Sequence, residues 1–314
     1  MGNRICVAGV GAIGGLIAAM LGKKYADDLS LIARGERARA LRENGLALHS
    51  DVYGEQFLRP RAVAEQAAAL GRQDIVFVCV KNYSLSEIIE NLRPAVGEDT
   101  ILVPVMNGVE AGGKLRAAFP GATVCDSLIY TITGANPGGR VTQTGPYTYL
   151  FIGGRPGEEK SIAAAERVYA LLRSVDFDAR LTDDIEGEIW RKFVLNCAFN
   201  TVTARYLTNN AGIRGSAQLR ADTMALLNEA ARAGIAEGVN LPADRPEERF
   251  SVIMNVQKPD ATSSMKRDVE AGRPTEVDAF TGTVLRLSEK HGLPAPVTAR
   301  YHRELMEMCG QPAS

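Results

Sequence analysis

The sequence predicts two domains, an α/β N-terminal domain over residues 1–182 and an all-α C-terminal domain over residues 183–314. Three observations carry that reading. Short apolar, β-branched runs alternate with helical stretches through the first part of the chain, a glycine-rich turn joins the first run to the first helix, and after Thr182 only helical patterning remains. A length of 314 residues fits two domains on the usual allowance of about 150 residues each.

Strands are expected at Ile5–Ala8, Leu29–Ala33, Ile75–Val80, Ile101–Val105 and Thr123–Ile129, with helices at Ile13–Lys23, Leu85–Leu92 and Val109–Phe119. Alternation of this kind specifies a parallel sheet with helices on both faces. From Gly134 to Gly154 the texture changes to Gly, Thr, Tyr and Pro with near-alternating apolar positions, which reads as an antiparallel extension of that sheet. A helix at Glu158–Ser174 and a strand at Phe177–Leu181 close the domain. Beyond it, Asp183 with Glu186 three residues on opens a long helix towards Tyr206. Further helices follow at Gln218–Glu237, Glu247–Val256, Glu276–His291 and Val297–Met308, the fourth capped by Thr275 and ended by Gly292 and Pro294.

Thirty-six Lys and Arg against 37 Asp and Glu leave a net charge of −1, so neither a nucleic acid nor a membrane surface is an expected partner. Five cysteines, with no CxxC pair, read as reduced thiols and not as a disulfide frame or a metal site. No leader pattern and no apolar run of membrane-spanning length is present, so the expected location is the cytoplasm.

Gly9-Val10-Gly11-Ala12-Ile13-Gly14 follows the first strand and opens a helix, the arrangement that makes the N-terminal domain Rossmann-type. Glycine permits the tight turn and close backbone approach that a pyrophosphate requires, and the helix start supplies N–H groups and a favourable field. Gly9, Gly11, Ala12, Ile13 and Gly14 are therefore candidate cofactor residues. NAD binders usually end the second strand with Asp or Glu, whereas this chain has Arg34, with Arg37 close behind. A guanidinium holds a 2′-phosphate bidentately and gains little from a bare hydroxyl, so NADP is the expected cofactor. Lys81 and Asn107 stand after the third and fourth runs, at the carboxyl ends where open α/β sheets bind ligands.

Lys192, Asn196 and Asn200 fall at i, i+4 and i+8 of the long helix, within about 80° of arc and ~12 Å of axis. Their neighbours Ile189, Phe193, Val194, Leu195, Cys197 and Phe199 are apolar. A polar row on so apolar a helix is costly unless it meets partners or solvent. One use for such a row is to receive an oxygen-rich substrate. Reduction of a ketone by hydride transfer needs a proton donor, and His49, His291 and His302 stand in no motif. Lys192 is the better donor if burial lowers its pKa.

With these come Ser263-Ser264-Met265 and Thr275-Glu276-Val277-Asp278, in order and at suitable spacings. The series resembles the ketopantoate reductase (2-dehydropantoate 2-reductase) family over nearly the whole chain. The resemblance implies an NADP-binding Rossmann domain and a helical substrate and dimerisation domain, with a homodimer among the assemblies it allows. It implies Lys192 as general acid, Glu276 on a substrate hydroxyl and Ser264 at the carboxylate end. Asn196, Asn200 and Asn210 would bond substrate oxygens, and Lys81 and Asn107 would bridge the nicotinamide side and the substrate. The implied reaction is NADPH-dependent reduction of the 2-oxo acid 2-dehydropantoate to (R)-pantoate, a step towards pantothenate and coenzyme A.

One departure bears on the substrate: Glu110 follows Asn107-Gly108-Val109, where many relatives have Gly. Two other functions stay open, an NADP-dependent reductase of another 2-oxo acid and a non-catalytic NADP(H) sensor. Turnover on a panel of 2-oxo acids separates them.

Overall fold

A computed structural model describes residues 4–310 apart from Pro137 and Ala243. The chain divides into two compact units between Ile185 and Glu186. In the first, β1 (Ile5–Ala8), α1 (Ala12–Tyr25), β2 (Leu29–Ile32), α2 (Gly35–Asn44), β3 (Leu46–Ser50), β4 (Gly54–Leu58), β5 (Ala62–Ala64) and β6 (Ile75–Val78) come in order. They are followed by α3 (Leu85–Leu92), β7 (Ile101–Pro104), α4 (Ala111–Ala118), β8 (Thr123–Val124), β9 (Asp126–Ala135), β10 (Arg140–Gly153), α5 (Glu159–Arg173) and β11 (Ala179–Leu181).

Six of the strands form an all-parallel sheet in the order β5-β2-β1-β6-β7-β8. Its central strands are buried on both faces, which is why they read as unbroken apolar runs. The period of two sorts their side chains. Ile5, Val7, Leu31, Ile75 and Phe77 pack with Leu16 and Ile17 of α1 and Val168 and Leu172 of α5. Cys6, Ala8, Val76, Val78 and Leu102 pack with Ile88 and Leu92 of α3 and Leu115 of α4.

The expected antiparallel extension is instead part of a second sheet. β10 pairs antiparallel with β9, parallel with β3 and β11, and β3 pairs antiparallel with β4. The run Thr123–Ile129, read as one strand, is shared between sheets: β8 pairs with β7, and from Asp126 the chain pairs with β10. No Gly or Pro marks that change, because the switch falls at buried Cys125. Covering α1 is what the second sheet does. A Cβ on Gly15 would lie 2.5 Å from Val141 of β10, and one on Gly22 would lie 2.7 Å from Leu58 of β4.

The second unit contains, among its described residues, helices and no strand. These are α6 (Ile185–Arg205, from the last residue of the first unit), α7 (Asn210–Gly215), α8 (Ala217–Ala236), α9 (Arg245–Ser251), α10 (Ser264–Glu270), α11 (Thr283–Lys290) and α12 (Pro296–Met308). Single π turns at Val252–Val256 and Asp278–Gly282 follow α9 and precede α11, within spans read as plain α-helix. α7 and α10, a turn or two each, are too short to show a helical period in the sequence. Buried carboxylates tie the helices together. Glu229 of α8 accepts the N–H groups of Val297 (3.1 Å) and Thr298 (2.7 Å) and the Thr298 hydroxyl, capping α12. Asp222 accepts the Tyr301 hydroxyl at 2.9 Å and pairs with Arg300. Such partners are what make a buried carboxylate tolerable. Among the described residues, no helix is long and apolar enough to cross a membrane.

Candidate active site

The glycine turn is fixed by contacts that no side chain could share. Gly9 has φ +92° and donates its N–H to Ile32 at 3.0 Å, and a Cβ there would lie 2.9 Å from the Val80 nitrogen. A Cβ on Gly14 would lie 2.1 Å from the Gly9 carbonyl oxygen. Gly11 is the opposite case, with nothing within 4 Å of where its Cβ would be. α1 begins beside it at Ala12 and Ile13, with no side-chain cap and no acidic residue in its first turn. A helix start of that kind suits an anion.

Gly9, Gly11, Arg34, Arg37, Lys81, Tyr83, Glu87 and Asn91 are among the residues that line a cavity of about 380 Å³ over the carboxyl ends of β1, β2 and β6. Arg37 reaches back from α2 and donates Nε to the Val10 carbonyl at 2.8 Å, so it braces the glycine turn. Burial lowers its pKa from the ordinary arginine value, and its Nη2 is buried without a partner. Arg34 is the N-cap residue of α2 and pairs with Glu87 in the first turn of α3. Lys81 and Asn107 follow the paired strands β6 and β7, and Asn82 donates to the Asn107 carbonyl at 2.9 Å, tying the two loops. These residues fit a dinucleotide: a bare helix start for the pyrophosphate, an unsatisfied guanidinium nitrogen, and a cavity with cationic lining.

In the second unit, α6 is buried around most of its circumference. Trp190 stacks edge-on against Phe193 at 5.2 Å, and Phe193 lies parallel to Phe280 at 6.2 Å. Gly234 of α8 gives Trp190 room, since a Cβ there would lie 2.7 Å from the indole. Phe280 belongs to the π turn that starts two residues after Glu276, so this stacking draws Glu276 towards the Lys192 turn of α6. Glu276 is 5% exposed. Burial pushes the Lys192 ammonium down from 10.5 to about 8, with the Glu276 charge acting to raise it. The two groups share one electrostatic environment.

Asn200 donates to the Asn196 carbonyl at 2.9 Å, and its Oδ1 accepts from the Ser264 hydroxyl (3.4 Å) and the Met265 N–H (3.3 Å). Thr203 donates to the Ser263 hydroxyl at 2.7 Å, and Ser263 caps α10 by accepting from the Lys266 N–H at 3.0 Å. Thus α6 holds the Ser263-Ser264 corner, a link to Thr203 that the sequence reading missed. Asn210 is fully buried, and its amide nitrogen donates to the carbonyls of Ile253, Gln257 and Lys258. That commitment makes it a loop anchor, with Oδ1 as the atom left unpartnered. The histidines are engaged elsewhere: His302 with Thr281, His49 with Glu55, within β3, and His291 with Glu237.

A Rossmann-type domain followed by a helical domain carrying this lysine–asparagine row is the plan of a two-domain oxidoreductase. The family described as "Ketopantoate reductase PanE/ApbA" matches residues 5–157, and its C-terminal counterpart matches residues 184–308. A 2-dehydropantoate 2-reductase of Mesorhizobium japonicum is 31% identical over 316 aligned residues, covering 93% of this chain and 94% of that one. The chain belongs to the ketopantoate reductase family and is an oxidoreductase of that type. Among solved structures, a family member from Ralstonia eutropha JMP134 superposes with a TM-score of 0.87 at 22% identity, over 98% of both chains. A D-mandelate dehydrogenase with NADH and anilino(oxo)acetate superposes with a TM-score of 0.86 at 20% identity, over 98% of both chains. At those identities the likeness concerns the fold.

Proposed function

We propose that the protein reduces 2-dehydropantoate to (R)-pantoate with NADPH, using Lys192 as the general acid. The observation that carries the reading is the Lys192-Asn196-Asn200 row, with an amine whose pKa is lowered to about 8 and the Glu276 charge beside it. Gly9, Gly11, Ala12, Ile13 and Gly14 would hold the pyrophosphate, Arg34 and Arg37 the 2′-phosphate, and Lys81 and Asn107 the nicotinamide end. Bound NADPH supplies the hydride that reduces the ketone carbon. Lys192 holds a proton at Nζ and delivers it to the ketone oxygen, and is then reprotonated from water. Asn196 orients substrate oxygens, Asn200 fixes Ser264 for the carboxylate, and Glu276 accepts the substrate hydroxyl. Asn210 serves chiefly by anchoring the loop at 253–261, with Oδ1 its remaining acceptor.

A second reading, a reductase of a different 2-oxo acid, is favoured by Glu110. Its carboxylate pairs with Lys114 at 3.0 Å at the start of α4, at a position where the family resemblance leads one to expect glycine. The D-mandelate dehydrogenase shares the fold, so the fold does not choose between the two substrates. NADPH oxidation with 2-dehydropantoate beside 2-oxoisovalerate and pyruvate separates them. The first reading expects 2-dehydropantoate to have the highest kcat/KM, and a clear preference for another acid overturns it.

Two variants test the assigned roles. Arg34→Ala is expected to weaken NADPH by about 10–100-fold, on the scale of a charge-assisted hydrogen bond, and NADH much less; equal losses would remove Arg34 from 2′-phosphate recognition. Glu276→Ala is expected to raise KM for the hydroxylated substrate by about 10–100-fold. If the KM holds and only thermal stability falls, Glu276 belongs to the start of the helix and not to the substrate.

A further inference from the structure

Glu87 lies in the cavity that the cofactor reading assigns to the adenine ribose. It lines that cavity together with Arg34 and Arg37, and its carboxylate pairs with the Arg34 guanidinium. The pairing joins two elements far apart in sequence, the end of β2 and the first turn of α3. Both side chains are largely exposed, 55% for Arg34 and 65% for Glu87, so each can change partner at little cost. A second carboxylate stands behind the first. Glu65 accepts the Gly35 N–H at 3.4 Å and lies 3.6 Å from Arg42, so the turn after Arg34 already has an anion against it.

These contacts weaken the case for exclusive 2′-phosphate recognition. A phosphate of about −2 charge must displace Glu87 from Arg34 and then remain beside a carboxylate of like sign. An unphosphorylated ribose faces no such repulsion. Glu87 is an acceptor for its hydroxyl, and Arg34 can remain paired. Resting on the nicotinamide-cofactor reading of this cavity, we propose that Glu87 is a specificity-determining residue that lowers discrimination against a free 2′-hydroxyl, so that the site accepts NADH as well as NADPH.

Dissociation constants of the full chain for NADPH and NADH, without substrate, test this in wild type, Glu87→Gln and Arg34→Ala. The substitution keeps the shape of the side chain and removes its charge at an exposed position. Glu87→Gln is expected to tighten NADPH by about tenfold and to leave NADH unchanged or weaker. The gain should shrink as salt rises from about 0.05 to 0.5 M, as a charge effect does and a packing effect does not. An NADPH-to-NADH ratio that Glu87→Gln leaves unchanged, while Arg34→Ala still weakens NADPH selectively, overturns the role of Glu87 and spares the cofactor assignment. Failure of the wild-type chain to bind either dinucleotide, or indifference of NADPH binding to Arg34→Ala, overturns the assignment beneath it as well.

Discussion

Lys192→Ala is expected to lower kcat by about 10²–10⁴, the usual contribution of a positioned general acid, with dinucleotide binding retained. Reducing a ketone leaves an oxyanion, and Lys192 is the one titratable side chain of the α6 row. Its pKa of about 8 gives the reaction a pH signature. With the ammonium as the proposed acid, the reduction rate should be level below about 8 and fall as pH rises through it. Because the Glu276 charge acts to raise that pKa, Glu276→Gln should move the alkaline limb to lower pH. A kcat for Lys192→Ala within about threefold of wild type would remove the residue from the chemistry.

The same shift makes a prediction about folding. Lys192 binds its proton less tightly in the folded chain, at about 8, than at the ordinary 10.5. Below about 8 both states are protonated and the folded state bears the full cost, about 3 kcal/mol at 1.36 kcal/mol per unit. Between 8 and 10.5 the folded lysine has lost its proton while the unfolded one keeps it, so the penalty fades as pH rises. Lys192→Met should therefore melt at a higher temperature than wild type at pH 7, with the gain nearly gone by pH 10.5. A functional group held at the expense of stability gives this result, and a solvent-facing lysine gives none.

What could be read in the chain follows from how local each signal is. The parallel sheet was legible because strands buried on both faces are continuous apolar runs, as Ile5–Ala8 and Ile75–Val78 are. The second sheet was not, because β3 meets β10 across some ninety residues and no local pattern announces that pairing. The hairpin β3–β4 is unmarked as well, because its turn at Asp51–Tyr53 lacks the Asn-Gly or Asp-Gly signature. At the polar row, helical spacing alone placed Lys192, Asn196 and Asn200 together. What Asn200 does there, holding Ser264 and the Met265 N–H, depends on α10, a two-turn helix too short to be read from periodicity. Glu87 carried no signal at all, since a glutamate in a first helical turn is ordinary. Its meaning comes from its pairing with Arg34 in the lining of the cavity.

Gly14→Ala and Gly11→Ala should separate what the glycine turn does for the fold from what it does for a ligand. A methyl at residue 14 would sit 2.1 Å from the Gly9 carbonyl oxygen, and backbone cannot rotate away as a side-chain end can. Either α1 must shift off β1 or the Gly9 peptide must turn, and Gly9 is held by its bond to Ile32 and by Val80. The expected cost is about 2–3 kcal/mol of stability, as for overpacking a tight interior, together with loss of dinucleotide binding. At residue 11 nothing lies within 4 Å of the added methyl, and φ is −85°, so alanine should change stability by less than about 0.5 kcal/mol. The open space above Gly11 is where a pyrophosphate would approach the start of α1, so the same methyl should weaken NADPH by about tenfold or more. Denaturant melts and dissociation constants of both variants read the two effects apart. Wild-type affinity in Gly11→Ala would move the pyrophosphate off this turn, whatever Gly14→Ala did to the fold.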